Sequence, residues 1–160
     1  MFLAGAGTGL TASAALNRRA ASFEEMLRFI SFLKTQIRYT AAPIGELLEM
    51  ASNNEFPKLL FLKEAAAGIK SGKMPSVSWC DAIEKYSRDC SFNDADREML
   101  RKFGLGLGNS DVEGQLMHCD IFSRLFEDRL KAARSAVQSK GRLYVTLGIT
   151  GGLGAALLLY

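Results

Sequence analysis

Ser110-Asp111-Val112-Glu113-Gly114-Gln115-Leu116-Met117-His118-Cys119-Asp120-Ile121-Phe122-Ser123-Arg124-Leu125-Phe126 is the start of a long helix, and its reading decides the fold class. The first four residues form a capping-box pattern, in which the Ser110 hydroxyl and the Glu113 carboxylate each satisfy a backbone N–H that the helix leaves unpaired. Beyond the cap, Leu116, Met117, Phe122, Leu125, Phe126, Leu130, Ala133 and Val137 keep the three- and four-residue steps of an apolar helical stripe. No segment between Arg18 and Arg142 alternates convincingly as a strand.

Upstream, the same period recurs with clear punctuation. Phe23, Met26, Leu27, Ile30, Leu33 and Ile37, widened by Phe29 and Phe32, make the stripe of a first helix ending near Tyr39. Pro43 suits the first turn of a second helix with Leu47, Leu48 and Met50 on its buried side, closed by Asn53-Asn54. Pro57 opens a third helix that runs to a terminator at Gly72. Ser76 or Ser78 is expected to cap a fourth helix carrying Trp79, Ala82, Ile83 and Tyr86. Asn93 or Asp94 caps a fifth, with Met99, Leu100 and Phe103 inward and Gly104, Gly106 and Gly108 ending it. Six helices is an even number, so an antiparallel bundle returns the last helix to the end where the first began.

The charge distribution divides the chain. All twenty basic and seventeen acidic residues lie between Arg18 and Arg142. Residues 143–160 form a charge-free apolar stretch that as a helix spans about 27 Å, just enough for a hydrocarbon core of about 30 Å. Tyr144 and Tyr160 stand near its two ends, where aromatic rings favour the headgroup layer. Residues 1–17 are short for a span and rich in Gly, Ala, Ser and Thr. They read as a membrane anchor, as a secretory signal with Ala12-Ser13-Ala14 as a small-residue cleavage site, or as a small-residue tail. Arg18-Arg19 directly after the stretch, with no Lys or Arg before it, favours the anchor. Residues 129–142 hold Arg129, Lys131, Arg134, Lys140 and Arg142 and no acidic residue, so both junctions are basic. The positive-inside rule then puts both termini outside and residues 18–142 in the cytoplasm as one helical bundle.

Composition narrows the function classes. A net charge of +3 is too mild to argue for a nucleic-acid partner. The three cysteines, Cys80, Cys90 and Cys119, cannot all pair and lack Cys-x-x-Cys spacing, which reads as free thiols in a reducing compartment. Gly5, Gly7 and Gly9 lack the strand and the Lys-Ser of a phosphate loop. His118, Cys119 and Asp120 are adjacent, so on a helix they point in different directions and cannot share one metal. Asp94-x-Asp96 lacks the remaining ligands of a calcium loop and fits a helix start. No catalytic residue, metal site or cofactor site is therefore assigned.

Particular residues resemble a known family. Arg97-Glu98-x-Leu100, then Phe103-Gly104-x-x-Leu107-Gly108-x-Ser110-Asp111-x-x-x-Gln115, and finally Leu143-Tyr144-x-x-Leu147-Gly148 before the apolar tail, are similar to the stage III sporulation protein AB family. Gly114 stands where that pattern leads one to expect an asparagine. The resemblance implies a membrane component of the channel complex linking mother cell and forespore in an endospore-forming bacterium. It also implies a helical domain similar to the cytoplasmic domain of the type II secretion platform protein F. By that analogy the chain would be a non-enzymatic scaffold coupling a cytoplasmic secretion-type ATPase, the stage III sporulation protein AA, to membrane partners, on the mother-cell side of the outer forespore membrane. The alternative is a peripheral helical adaptor or lipid-binding protein.

Two sets of residues are candidates for assembly. Gly148 and Gly152, like Gly5 and Gly9, lie four residues apart, a spacing that lets helix backbones approach closely in lipid. Asp111 and Gln115 lie one turn apart beside the turn between the fifth and sixth helices. If Ser110 makes the cap, both are free for a partner.

Overall fold

The computed structural model describes the backbone of residues 3–40, 42–53 and 56–158, and the side chains of residues 14–40, 42–53 and 56–139. The described residues form six helices and no strand: α1 (Leu3–Thr40), α2 (Ile44–Ser52), α3 (Phe61–Lys70), α4 (Pro75–Tyr86), α5 (Asp94–Gly106) and α6 (Val112–Leu158). Two are long, with 38 residues in α1 and 47 in α6, whereas α2 to α5 hold 9 to 13 residues each. The fold is thus a helical bundle of unequal parts. A long helix pair backs four short helices, each packed on the next.

Cross-pairs fix the direction of the long helices. Lys34 of α1 is ion-paired with Asp120 of α6, and Glu24 accepts a hydrogen bond from Arg134 at 2.7 Å. Numbers that fall along α1 rise along α6, so the two are antiparallel. Their shared face follows the predicted stripe with Phe23, Met26, Ile30 and Leu33 from α1 and Phe126 and Ala133 from α6, and adds Cys119, all fully buried. Met117 and Leu125, expected on the α6 stripe, and Met50, expected on the buried side of α2, are instead exposed, because they lie off the faces that α6 and α2 turn to the core.

Trp79 of α4 joins the two layers. Its ring lies 6.0 Å from Phe29, 5.2 Å from Phe61 and 5.6 Å from Phe103, and its indole N–H donates to the Leu100 carbonyl at 2.7 Å. Aromatic pairs of this kind add about 0.5–1.5 kcal/mol each beyond area burial. Gly104 makes room for the indole, since a Cβ there would stand 1.9 Å from Trp79 Cδ1. Gly104 is therefore a contact point inside α5 and not its terminator. The helix ends two residues later, and Gly108, at φ +77°, takes the left-handed turn that follows.

Three helix starts differ from the sequence expectation. The third α-helix begins at Phe61, not Pro57, because Phe56 to Leu60 make successive turns, with Leu59 N–H on Phe56 O and Leu62 N–H on Leu59 O. Neither Ser76 nor Ser78 caps α4: Met74 is the N-cap and Pro75 takes the first helical position. Ser78 lies inside the helix and donates to Ala65 O at 2.8 Å, tying α4 to α3. The capping residue of α6 is Asp111, not Ser110, since its carboxylate accepts the Gly114 N–H at 2.9 Å.

The buried part of the bundle runs from Ala20 on α1 to Ala133 on α6. Backbone helix continues through residues 3–19 and 134–158, without interruption at Gly141. Among the described residues no helix is long and apolar enough to cross a membrane. The side chains of residues 1–13 and 140–160, which hold most of both expected spans and Gly5, Gly9, Gly148 and Gly152, lie outside the described residues.

Candidate functional site

Antiparallel pairing puts the C-terminal end of α1 beside the N-terminal end of α6, at the far end of the molecule from both charge-free segments. A cavity of about 410 Å³ opens there. Ile37 of α1, Ala42, Pro43, Ile44 and Leu47 around the start of α2, and Pro75 of α4 supply apolar walls. Gly108, Ser110, Asp111, Val112 and Gln115 from the α5–α6 turn and the start of α6 complete the lining and bring its polar side chains. A second hollow of about 350 Å³ shares Pro43, Ile44 and Pro75 with it and extends along α2 past Glu46 and Glu49.

The structure brings Asp111 and Gln115 together, in different roles. Gln115 is 6% exposed and ties the turn: its amide N–H groups donate to Gly106 O at 3.2 Å and Ser110 Oγ at 3.1 Å. Its carbonyl Oε1 accepts the Gly108 N–H at 3.2 Å. These bonds satisfy backbone groups that the end of α5 leaves open. Asp111 is exposed, and one carboxylate oxygen caps α6, where negative charge is also favoured by the helix dipole. The expectation that Ser110 makes the cap and leaves Asp111 free is thus corrected: Asp111 is itself the cap, and Gln115, though not part of the cap, is bonded to the turn. Asp111 remains the charged group presented at the rim, while Gln115 shapes the wall. Gly114 occupies the third helical position, so no side chain there completes a capping box.

His118 is held by the core. Its ring stacks on Phe103 with centroids 5.4 Å apart, and Nε2 lies 2.8 Å from the Phe103 carbonyl oxygen. Cys90 and Cys119 are buried and Cys80 half-buried, all as free thiols. Burial raises all three thiol pKa values, Cys119 most, to about 11. No group of three His, Cys, Asp or Glu that could hold a metal occurs among the described residues. The first tip cavity offers shape, the single carboxylate of Asp111 and polar backbone, which suits recognition of another surface.

Long-range pairing escaped the sequence reading. Arg19, expected as a basic residue of the membrane junction, is 16% exposed and makes a two-pronged bond to Asp96, Nε at 2.6 Å and Nη2 at 2.8 Å. Asp96 is fully buried, and its carboxylate also accepts the Asn93 N–H at 3.1 Å while Asn93 Oδ1 accepts the Asp96 N–H at 2.9 Å. The hydrogen bond to Asp96, opposed in part by burial, raises the guanidinium pKa above its ordinary value. Of the junction cations described, Arg19 and Arg134 are thus spent on the bundle, and Arg18 is exposed.

A small helical bundle with an amphipathic tip cavity and no evident reaction centre among its described residues is the class that fold and site define. The sequence model of the family described as stage III sporulation protein AB matches residues 1–160, the whole chain. The chain belongs to that family, which places it in sporulation. No curated protein and no solved structure matches it.

Proposed function

We propose that the chain is a non-enzymatic platform component of the mother cell to forespore channel complex. Its charge-free ends anchor it in the outer forespore membrane from the mother-cell side, with residues 18–142 in the cytoplasm. Gly5, Gly9, Gly148 and Gly152 allow close packing of these anchors with each other or with a partner's helix. The tip cavity, with Asp111 at its rim, engages the cytoplasmic secretion-type ATPase, stage III sporulation protein AA, and so couples it to membrane partners.

One observation carries this reading. Because α1 and α6 are antiparallel, both charge-free ends leave from one end of the bundle and the cavity opens at the other. Two feet on one side and a recognition surface on the opposite side is the arrangement a platform needs.

Alkaline carbonate extraction of membranes from sporulating cells tests the anchoring: the chain is expected to stay in the pellet, whereas release would favour the peripheral adaptor. Pull-down of the solubilised full-length chain tests the coupling. The ATPase is expected in the eluate, and its absence alongside recovered membrane partners would remove the coupling role.

A further inference from the structure

At the end of the bundle opposite the tip, a second cavity of about 240 Å³ is walled by three chain segments: Arg18, Ala21 and Ser22 of α1, Pro57, Lys58 and Leu60 before α3, and Asp89, Cys90 and Ser91 between α4 and α5. The walls are pinned to one another. The Ser22 hydroxyl donates to Cys90 O at 2.6 Å, and the Lys58 N–H donates to Oε1 of the buried Glu25 at 2.9 Å. The cavity is thus held open by the fold before any ligand arrives.

Its lining combines features that the core does not require. Arg18 and Lys58 are exposed cations with no carboxylate partner among the described residues, unlike Arg19 next door. Leu60 is 48% exposed beside them, an apolar side chain projecting from a turn. Ser91 holds φ at +66°, a left-handed conformation that glycine would adopt at no steric cost. What serine adds over glycine is a hydroxyl, on a residue that lines the cavity. Asp89 is the one acidic residue of the lining and can accept from a hydroxyl-bearing ligand.

We propose that this cavity binds the headgroup of an anionic, hydroxyl-bearing phospholipid. The phosphate lies between Arg18 and Lys58, headgroup hydroxyls face Asp89 and Ser91, and Leu60 enters the acyl boundary. The proposal rests on the membrane reading above, since it needs residues 3–17 of α1 to lead into the bilayer directly from Arg18. It goes further in giving the bundle a lipid preference of its own.

The test uses the full-length chain, with Cys80→Ser to remove the accessible thiol and Leu60→Cys carrying an environment-sensitive fluorophore. It is reconstituted in bilayer discs of phosphatidylcholine with or without phosphatidylglycerol, and a brominated acyl chain serves as quencher. Quenching is expected only with phosphatidylglycerol. Arg18→Gln and Lys58→Gln should each weaken the lipid dependence about fivefold, in line with the contribution of one basic residue near an anionic surface. Ser91→Gly should also weaken it while leaving the bundle folded. Equal quenching in both discs, or none, overturns the lipid site while alkali-resistant insertion leaves the membrane reading standing. A chain stripped by alkali overturns both. Saturable binding of glycerol phosphate in detergent, without Leu60 quenching in discs, would reassign the cavity to a soluble phosphate and overturn the lipid.

Discussion

Arg19 and Asp96, 77 residues apart, form a two-pronged ion pair at 2.6 and 2.8 Å that fastens the start of α5 to α1. Asp96 serves two structures at once, the capping box of α5 and the contact with α1, and is fully buried while doing so. A buried carboxylate stripped of its cation is among the costly defects a fold can carry.

Arg19→Ala is therefore expected to destabilise the bundle by about 3 kcal/mol, as for breaking a buried pair. Arg18→Ala, one residue away and exposed, should change stability by no more than about 0.5 kcal/mol. Chemical denaturation of both variants checks this, and equal effects would show that Arg19 is not the fastening.

Gly104→Ala sets a methyl group against the Trp79 ring, with a Cβ 1.9 Å from Cδ1. Trp79 is fully buried among Phe29, Phe61 and Phe103 and has no free direction to move. A loss of about 3 kcal/mol is expected, the upper end for overpacking a core. Near-ultraviolet circular dichroism should report the displaced indole. A stability equal to wild type would mean that α4 and α5 slide apart without cost.

These two residues also mark how far the sequence could be read. Helical periodicity exposed the stripes of α1 and α6, and burial follows it closely on α1, whereas on α6 it holds for Phe126, Leu130 and Ala133 and fails for the exposed Met117 and Leu125, since spacing alone does not say how wide a face the core covers. Local rules misassigned Pro57, Ser78 and Ser110. Proline at a turn, serine inside a helix and serine before a cap obey the same short-range preferences as true helix starts, and tertiary bonds made the choice: Lys58 N–H on Glu25, Ser78 on Ala65, Gln115 on Ser110. Arg19 and Asp96 have no local signal that joins them, since their pairing depends on where α5 lands. Asp111 and Gln115 were legible as one cluster, yet the division between a cap and a buried tie requires knowing which side of the turn faces Gly106 and Gly108.

At the tip, Asp111→Asn and Gln115→Leu should part company. An asparagine oxygen can keep the cap, so Asp111→Asn is expected to stay within about 0.5 kcal/mol of wild type, near-equal capping being usual for these residues. Binding of the ATPase should weaken with the lost charge. Gln115→Leu leaves Gly108 N–H and Gly106 O without partners and should cost about 1–3 kcal/mol. Thermal denaturation paired with pull-down separates the effects. An Asp111→Asn chain that binds the ATPase as wild type does would take the rim carboxylate out of the contact.

Cys119 gives the bundle an alkaline limit. It is fully buried, and desolvation lifts its thiol pKa from 9.0 to about 11 against the opposing pull of Lys34. An unfolded chain sheds this proton near 9 while the folded chain keeps it, so above pH 9 the unfolded state binds fewer protons and stability falls as pH rises. The stabilisation is fully present below pH 9 and is lost by about pH 11, where the folded thiol ionises too, a change of about 2–3 kcal/mol at 1.36 kcal/mol per unit. Cys119→Ala should have a lower stability at neutral pH, because it leaves a small cavity, but a shallower decline from pH 9 to 11. Parallel declines in denaturation profiles of the two chains would show that this thiol is not the group responsible.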